Sequence, residues 1–132
     1  MIVTVVGTGT DVGKTFVTAA LAAALRRRGV DVAAWKPVAS GVTPGEPAAD
    51  ASELAAALGR PIEPPLHSFE PPLSPHLAAR RAGVAIDIDA LAARAHALAA
   101  GRAVTLVETA GGLLSPLSDT TTNADLARAL GG

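Results

Sequence analysis

The segment that most constrains the fold is Gly7-Thr8-Gly9-Thr10-Asp11-Val12-Gly13-Lys14-Thr15, set between a β-branched run and an alanine-rich stretch. Residues 2–6, Ile-Val-Thr-Val-Val, predict a short buried strand. The stretch from Lys14 to Arg28 predicts a helix with Val17, Leu21 and Leu25 along one face, three arginines in its last turn and Gly29 as its stop. Residues 30–35, Val-Asp-Val-Ala-Ala-Trp, predict a second strand ending at Lys36-Pro37. Strand, helix and strand this close together make a βαβ unit, so the two strands are expected to be parallel with a right-handed crossover.

Between a strand and a helix, the glycine-rich run reads as a phosphate-binding loop. Its glycines let the backbone turn back and aim several N–H groups at one anion, and the helix start adds its positive dipole end. Residues Gly9, Thr10, Asp11, Val12, Gly13, Lys14 and Thr15 are the expected nucleotide-binding set. Lys14 is placed to reach the terminal phosphates and Thr15 to offer a hydroxyl to Mg²⁺. Five residues rather than the usual four separate Gly7 from Gly13, so this is a long version of the loop. Such a loop by itself implies a nucleoside triphosphate and no particular reaction.

The remainder reads as a loop over residues 37–49, a short helix over 51–58 with Asp50 and Glu53 spaced as a capping box, and an irregular proline-rich segment over 60–75. Ser74-Pro75 opens another short helix to Ala82. Asp87 or Asp89 caps a helix carrying Leu91, Ala95 and Leu98, which Gly101 ends. A third strand spans 103–107 and runs into Glu108, and a last helix spans 124–130. Nine of the 10 prolines fall between Pro37 and Pro75, which makes the middle of the chain stiff and loop-rich.

In a parallel sheet the carboxyl ends of neighbouring strands share one crevice. Lys36 at the end of the second strand should therefore face the cavity that the phosphate loop borders. Lysine is scarce: of 11 basic residues only Lys14 and Lys36 are lysines, so each stands where a compact ammonium is wanted. Glu108, at the end of the third strand, stands where a carboxylate holds a divalent ion. Asp50 has a capping role as a sufficient reason to exist. Thr15, Asp50 and Glu108 together would make an all-oxygen site suited to Mg²⁺. His67, His76 and His96 lack metal-ligand spacing, and Trp35 reads as core.

Composition narrows the classes. A formal net charge of −1 over 132 residues gives no basic footprint for nucleic acid or an anionic membrane. Hydrophobic residues at 49% and charged residues at 17% suit a globular domain, and the length suits a single one. The absence of cysteine excludes disulfides, zinc–thiolate sites and thiol nucleophiles within these residues. No apolar run reaches membrane-helix length, and the N-terminus lacks a leader-like pattern, so a cytoplasmic location is the expectation.

The ordered segments GTGTDVGKT, WKPVASG (35–41), AADASEL around Asp50, FEPPLSPH (69–76), VETAGGLLSPLSD (107–119) and NADLA resemble the dethiobiotin synthetase family over nearly the whole chain. The resemblance implies an α/β, three-layer P-loop NTPase-type domain with a mostly parallel sheet. It implies an ATP- and Mg²⁺-dependent cyclo-ligase that closes the ureido ring of dethiobiotin from 7,8-diaminononanoate and CO₂ or bicarbonate, in biotin biosynthesis. Lys14, Lys36 and Thr10 are then expected to be catalytic, and Ser40, Lys36 and Thr10 to bind substrate. Thr15, Asp50 and Glu108 are the expected metal ligands. Family members continue beyond the point matching Gly132 with further strands, and form homodimers. The chain is therefore expected to be an N-terminal portion that leaves the third strand and the loop-bearing strand without neighbours, exposing an apolar sheet edge. Thr109 stands where the family has glycine, which puts a side chain near the expected substrate path. A nucleotide-binding regulatory module without ligase activity, or an inactive fragment, are the alternatives.

Overall fold

The computed structural model describes residues 1–132. Strand β1 (Ile2–Val5) leads through the glycine loop into helix α1 (Lys14–Arg27), which returns to strand β2 (Val32–Trp35). Strand β3 (Val38–Ser40), helix α2 (Ala49–Leu58), strand β4 (His67–Phe69) and helices α3 (Pro75–Ala82) and α4 (Ile88–Ala99) follow. Strand β5 (Val104–Glu108) and helix α5 (Asn123–Ala129) complete the order. The main sheet is parallel throughout in the order β1-β5-β2. The expected α/β architecture is therefore present, but β1 and β2 are not neighbours: β5 lies between them.

That insertion decides burial. All five residues of β5 are buried, whereas β1 is only half-buried. The third strand has a neighbour on each side, contrary to the sequence expectation, and the two edges of the sheet are β1, which is half-buried, and β2. Side chains alternate across the sheet as the pleat requires. Trp35 and Val107 join one core with Leu91, Ala95, Leu117 and Leu126, under α3, α4 and α5. Val32, Ala34, Val104 and Leu106 join the other with Ala22, Leu54 and Leu58, under α1 and α2. Helices thus cover both faces, giving three layers.

Helix α1 departs from its predicted face. Thr18 and Ala22 are turned inward, while Phe16, Val17 and Leu21 are exposed. Small residues on the inner face let the helix approach the sheet and α2 closely, and the Thr18 hydroxyl is satisfied by the Lys14 carbonyl at 2.8 Å. An apolar spacing shared by two faces of one helix does not say which face is buried.

The segments read as loop and irregular hold a second, two-stranded parallel sheet, β3 with β4, in which Val38 pairs with His67 and Ser40 with Phe69. Strands of three residues have too little length to show alternation, and their pairing spans the proline-rich segment. That segment is tied down by the Trp35 indole, which donates to the Pro64 carbonyl at 2.9 Å, and by the Leu66 N–H, which donates to the Pro37 carbonyl at 2.9 Å. No helix is long and apolar enough to cross a membrane.

Candidate active site at the strand tips

Register places the site. Val5 pairs with Glu108 and Trp35 with Val107, so the phosphate loop, Glu108 and Lys36 all leave the sheet at the same edge. The loop needs its glycines at specific points. A Cβ on Gly7 would lie 2.8 Å from Val12 Cγ2, and Gly13 holds φ 93° as it opens α1. Asp11 is the one non-glycine residue with positive φ, at 57°, a conformation that aspartate tolerates better than most. Lys14 is buried, and its Nζ donates back to the Gly9 carbonyl at 2.5 Å.

Across the crevice, Thr15 Oγ1 donates to Glu108 Oε1 at 2.7 Å, and Lys36 Nζ donates to the same oxygen at 3.0 Å. Lys36 also pairs with the Asp50 carboxylate. Asp50 is not the helix cap that its spacing with Glu53 predicts. Helix α2 begins two residues earlier, with Ala48 at the cap, which leaves Asp50 in the first turn with its carboxylate turned to Lys36. The helix start has no side-chain cap, and the Asp50 carboxylate serves the site instead. The other capping choice resolves to Asp87, whose carboxylate accepts from the Asp89 and Ala90 N–H groups.

The two ammonium groups titrate in opposite directions. Burial, then the nearby positive charge of Lys36, push the Lys14 pKa down. Burial also opposes the charged form of Lys36, but its hydrogen bond to Asp50 and the charges of Glu108 and Asp50 outweigh that and raise its pKa.

Two cavities meet at this edge. One, of about 310 Å³, is lined by Thr10, Asp11, Gly13, Lys14, Thr15, Lys36, Asp50 and Glu108. The other, of about 440 Å³, is lined by Thr10, Lys36, Ser40, Gly41, Asp50, Ser74 and Ser115 among others. Thr10, Lys36, Asp50 and Gly111 belong to both and form the shared wall. The structure thus brings together Thr10, Asp11, Gly13, Lys14, Thr15, Lys36, Ser40, Asp50 and Glu108. Gly9 and Val12 shape the loop without lining either cavity, Gly9 through its carbonyl and Val12 beside Gly7. Thr109 lies away from the cavities: it is buried, and its Oγ1 donates to the Val5 carbonyl at 3.3 Å. Its side chain therefore lines neither cavity. His76 is likewise outside both, with Nδ1 3.3 Å from Ser74 Oγ.

The site suits a hard divalent ion on its own evidence. Thr15, Asp50 and Glu108 supply only oxygen donors, and Glu108 Oε2 is fully buried with no hydrogen-bond partner. Ser40 Oγ is a second buried oxygen without a partner, on the wall of the larger cavity.

Two residues support the loop: Gly112, in a glycine pair that permits close backbone approach, and Asn123. A Cβ on Gly112 would meet the Thr8 carbonyl oxygen at 2.8 Å, and the adjacent Leu113 N–H donates to the Gly7 carbonyl at 2.8 Å. The Gly111-Gly112 turn therefore braces the phosphate loop. Asn123, buried at the start of α5, donates through Nδ2 to the carbonyls of Ala110 at 2.7 Å and Gly112 at 2.8 Å and so holds that turn. Its only sequence signal was its place in NADLA.

A family model described as an AAA domain matches residues 2–132. The chain belongs to that family. It is homologous to proteins named ATP-dependent dethiobiotin synthetase BioD. It is 48% identical over 130 residues to the one from Anaeromyxobacter sp. (strain Fw109-5), with 96% of this chain and 58% of the relative covered. It is 44% identical over 135 residues to that of Caulobacter vibrioides (strain NA1000 / CB15N), covering 96% and 61%. It is 47% identical over 131 residues to that of Rhodococcus jostii (strain RHA1), covering 98% and 56%. The chain spans less than two thirds of the length of these relatives.

Proposed function

We propose that this chain carries the nucleotide- and carbamate-handling half of an ATP- and Mg²⁺-dependent dethiobiotin synthetase. The observation that carries the reading is the shared wall: Lys36 and Thr10 border both the cavity at the phosphate loop and the one at Ser40. A γ-phosphate and a carbamate are both anionic and must be brought into contact. A site for that needs positive charge concentrated between two compartments.

In this reading the loop N–H groups and Lys14 hold the nucleotide phosphates in the smaller cavity. Thr15, Asp50 and Glu108 hold Mg²⁺, which when bound neutralises phosphate charge. The diamine occupies the larger cavity, with Thr10 and Ser40 as hydrogen-bonding partners. One amine of 7,8-diaminononanoate adds to CO₂ to give a carbamate, whose charge Lys36 meets. A carbamate oxygen then takes the γ-phosphoryl group and ADP leaves. The second amine attacks the carbonyl carbon of the mixed anhydride, phosphate leaves, and the ureido ring is closed. Lys14 and Lys36 stabilise charge on the transferring group without needing to exchange protons with it.

The test uses the chain itself and a fusion carrying the remainder of the Anaeromyxobacter relative. Each is incubated with ATP, Mg²⁺, bicarbonate and 7,8-diaminononanoate, and dethiobiotin and ADP are measured. The reading expects diamine-dependent ADP release and dethiobiotin from the fusion. ATP bound without any diamine-stimulated turnover would favour a nucleotide-binding regulatory module instead. Light scattering on the fusion tests the homodimer that we propose for the whole enzyme.

A further inference from the structure

One ammonium serves both carboxylates of the site. Lys36 Nζ lies 3.0 Å from Glu108 Oε1 and pairs with Asp50, while Thr15 Oγ1 lies 2.7 Å from that same Glu108 oxygen. The three side chains that supply the oxygen donors therefore converge, and it is a lysine nitrogen that stands between the two carboxylates. Its side chain is only 12% exposed, so the pairing with Glu108 is shielded from water, while Asp50 closes the pair on the solvent side. Glu108 is wholly buried and its Oε2 has no partner, so a single hydrogen-bonded ammonium leaves the pair of carboxylates under-satisfied. Lys36 also lines the larger cavity, together with Ser40.

We propose that the Lys36 ammonium is a built-in placeholder for the divalent cation, seated between Asp50 and Glu108 until the ion displaces it toward the Ser40 cavity. The inference rests on the reading that Thr15, Asp50 and Glu108 are the metal ligands, and adds an order of events to it. With the ammonium in place, two negative charges face one positive charge. Exchange for a divalent ion balances the carboxylates and frees an ammonium that has no other acidic partner in the structure. That charge becomes available to an anion in the larger cavity only once the ion has entered. Linkage makes the coupling reciprocal: a small carboxylate-class anion that draws Lys36 away tightens the ion, by the same factor as the ion tightens the anion.

The scarcity of lysine makes the test direct, because a protein labelled with ¹⁵N at lysine Nζ has only two such side chains, Lys14 and Lys36. The 132-residue chain is titrated with MgCl₂ without nucleotide, against KCl of matched ionic strength. The Lys36 ammonium signal is expected to shift saturably with Mg²⁺ and not with KCl. In parallel, Lys36→Met is expected to bind Mn²⁺, read by electron paramagnetic resonance, about tenfold or more tightly than the unmodified chain. Mg²⁺ saturating the site while the Lys36 signal stays unmoved would overturn the proposal, as would equal or weaker Mn²⁺ binding by a folded Lys36→Met. If that variant does not fold, the titration of the unmodified chain decides alone. A control with Glu108→Gln separates the two levels. Binding that depends on Glu108 but leaves Lys36 in place removes the placeholder and keeps the metal site. Binding of neither ion, with or without ATP, removes both.

Discussion

The phosphate loop and the ammonium–carboxylate cluster face each other across one crevice, but they are built in different ways. The loop comes from one continuous segment, Gly7 to Thr15, and its shape follows from local steric rules: no room for a Cβ at Gly7, positive φ at Gly13. The cluster comes from three segments far apart in sequence, with Lys36 after β2, Asp50 in the first turn of α2 and Glu108 at the end of β5. It exists because β5 is inserted between β1 and β2 in a register that brings Glu108 level with Val5. A locally built site depends on the rest of the fold only through the few contacts that brace it, here from Gly112 and Leu113. An assembled one is only as accurate as the strand pairing and helix placement beneath it.

Substitution of the two lysines breaks the comparison most sharply. Lys14→Ala is expected to weaken ATP binding and to lower turnover on the order of 10²-fold or more, the scale for removing a charge-stabilising donor. Lys36→Ala is expected to lower turnover on a similar scale while leaving ATP affinity within about threefold, because its loss is felt at the transferring group. Calorimetric titration with ATP and ADP release by the fusion measure the two. Equal losses of ATP affinity in both variants would mean that loop and cluster are not separate devices.

Asn123→Ala comes next. It strips the carbonyls of Ala110 and Gly112 of their partner, at a cost of about 1–3 kcal/mol in urea unfolding, the range for a buried polar group left unpaired. Gly112→Ala forces a methyl group against the Thr8 carbonyl and is expected to cost about 1–2 kcal/mol, with ATP affinity falling alongside stability. An unchanged ATP affinity would show that the turn does not brace the loop.

The smallest effect expected is on alkaline stability. The Lys36 pKa is raised in the folded chain, so its ion pairs contribute fully below the unfolded lysine value of about 10.4. That contribution is lost as pH climbs through the higher folded value. Thermal unfolding should therefore show a loss of stability above about pH 10 that is reduced in Lys36→Met.

Much of this site was legible before the fold. Strand, glycine loop, Lys14-Thr15 and helix sit together in sequence, so local patterning alone places them. Lysine scarcity and strand-end position picked out Lys36, and strand-end position picked out Glu108. Other features were illegible for identifiable reasons. The β3–β4 sheet is made of three-residue strands whose pairing is wholly non-local. The inner face of α1 is set by close approach at Thr18 and Ala22, which apolar spacing does not reveal. The local spacing of Asp50 and Glu53 fits a capping box as well as a site residue, and the actual start of α2 decides for the site. The contribution of Asn123 depends on reaching the Ala110 and Gly112 carbonyls from the start of α5, a non-local contact.

By itself the sequence determined the phosphate loop, the parallel α/β character and the supply of two ammonium groups and three oxygen-bearing side chains, because these rest on backbone sterics and residue chemistry at short range. Only the tertiary structure decided that one ammonium lies between both carboxylates and that two cavities share the wall it forms. Those relations depend on which strand enters the middle of the sheet and in what register, and no local interaction encodes that choice.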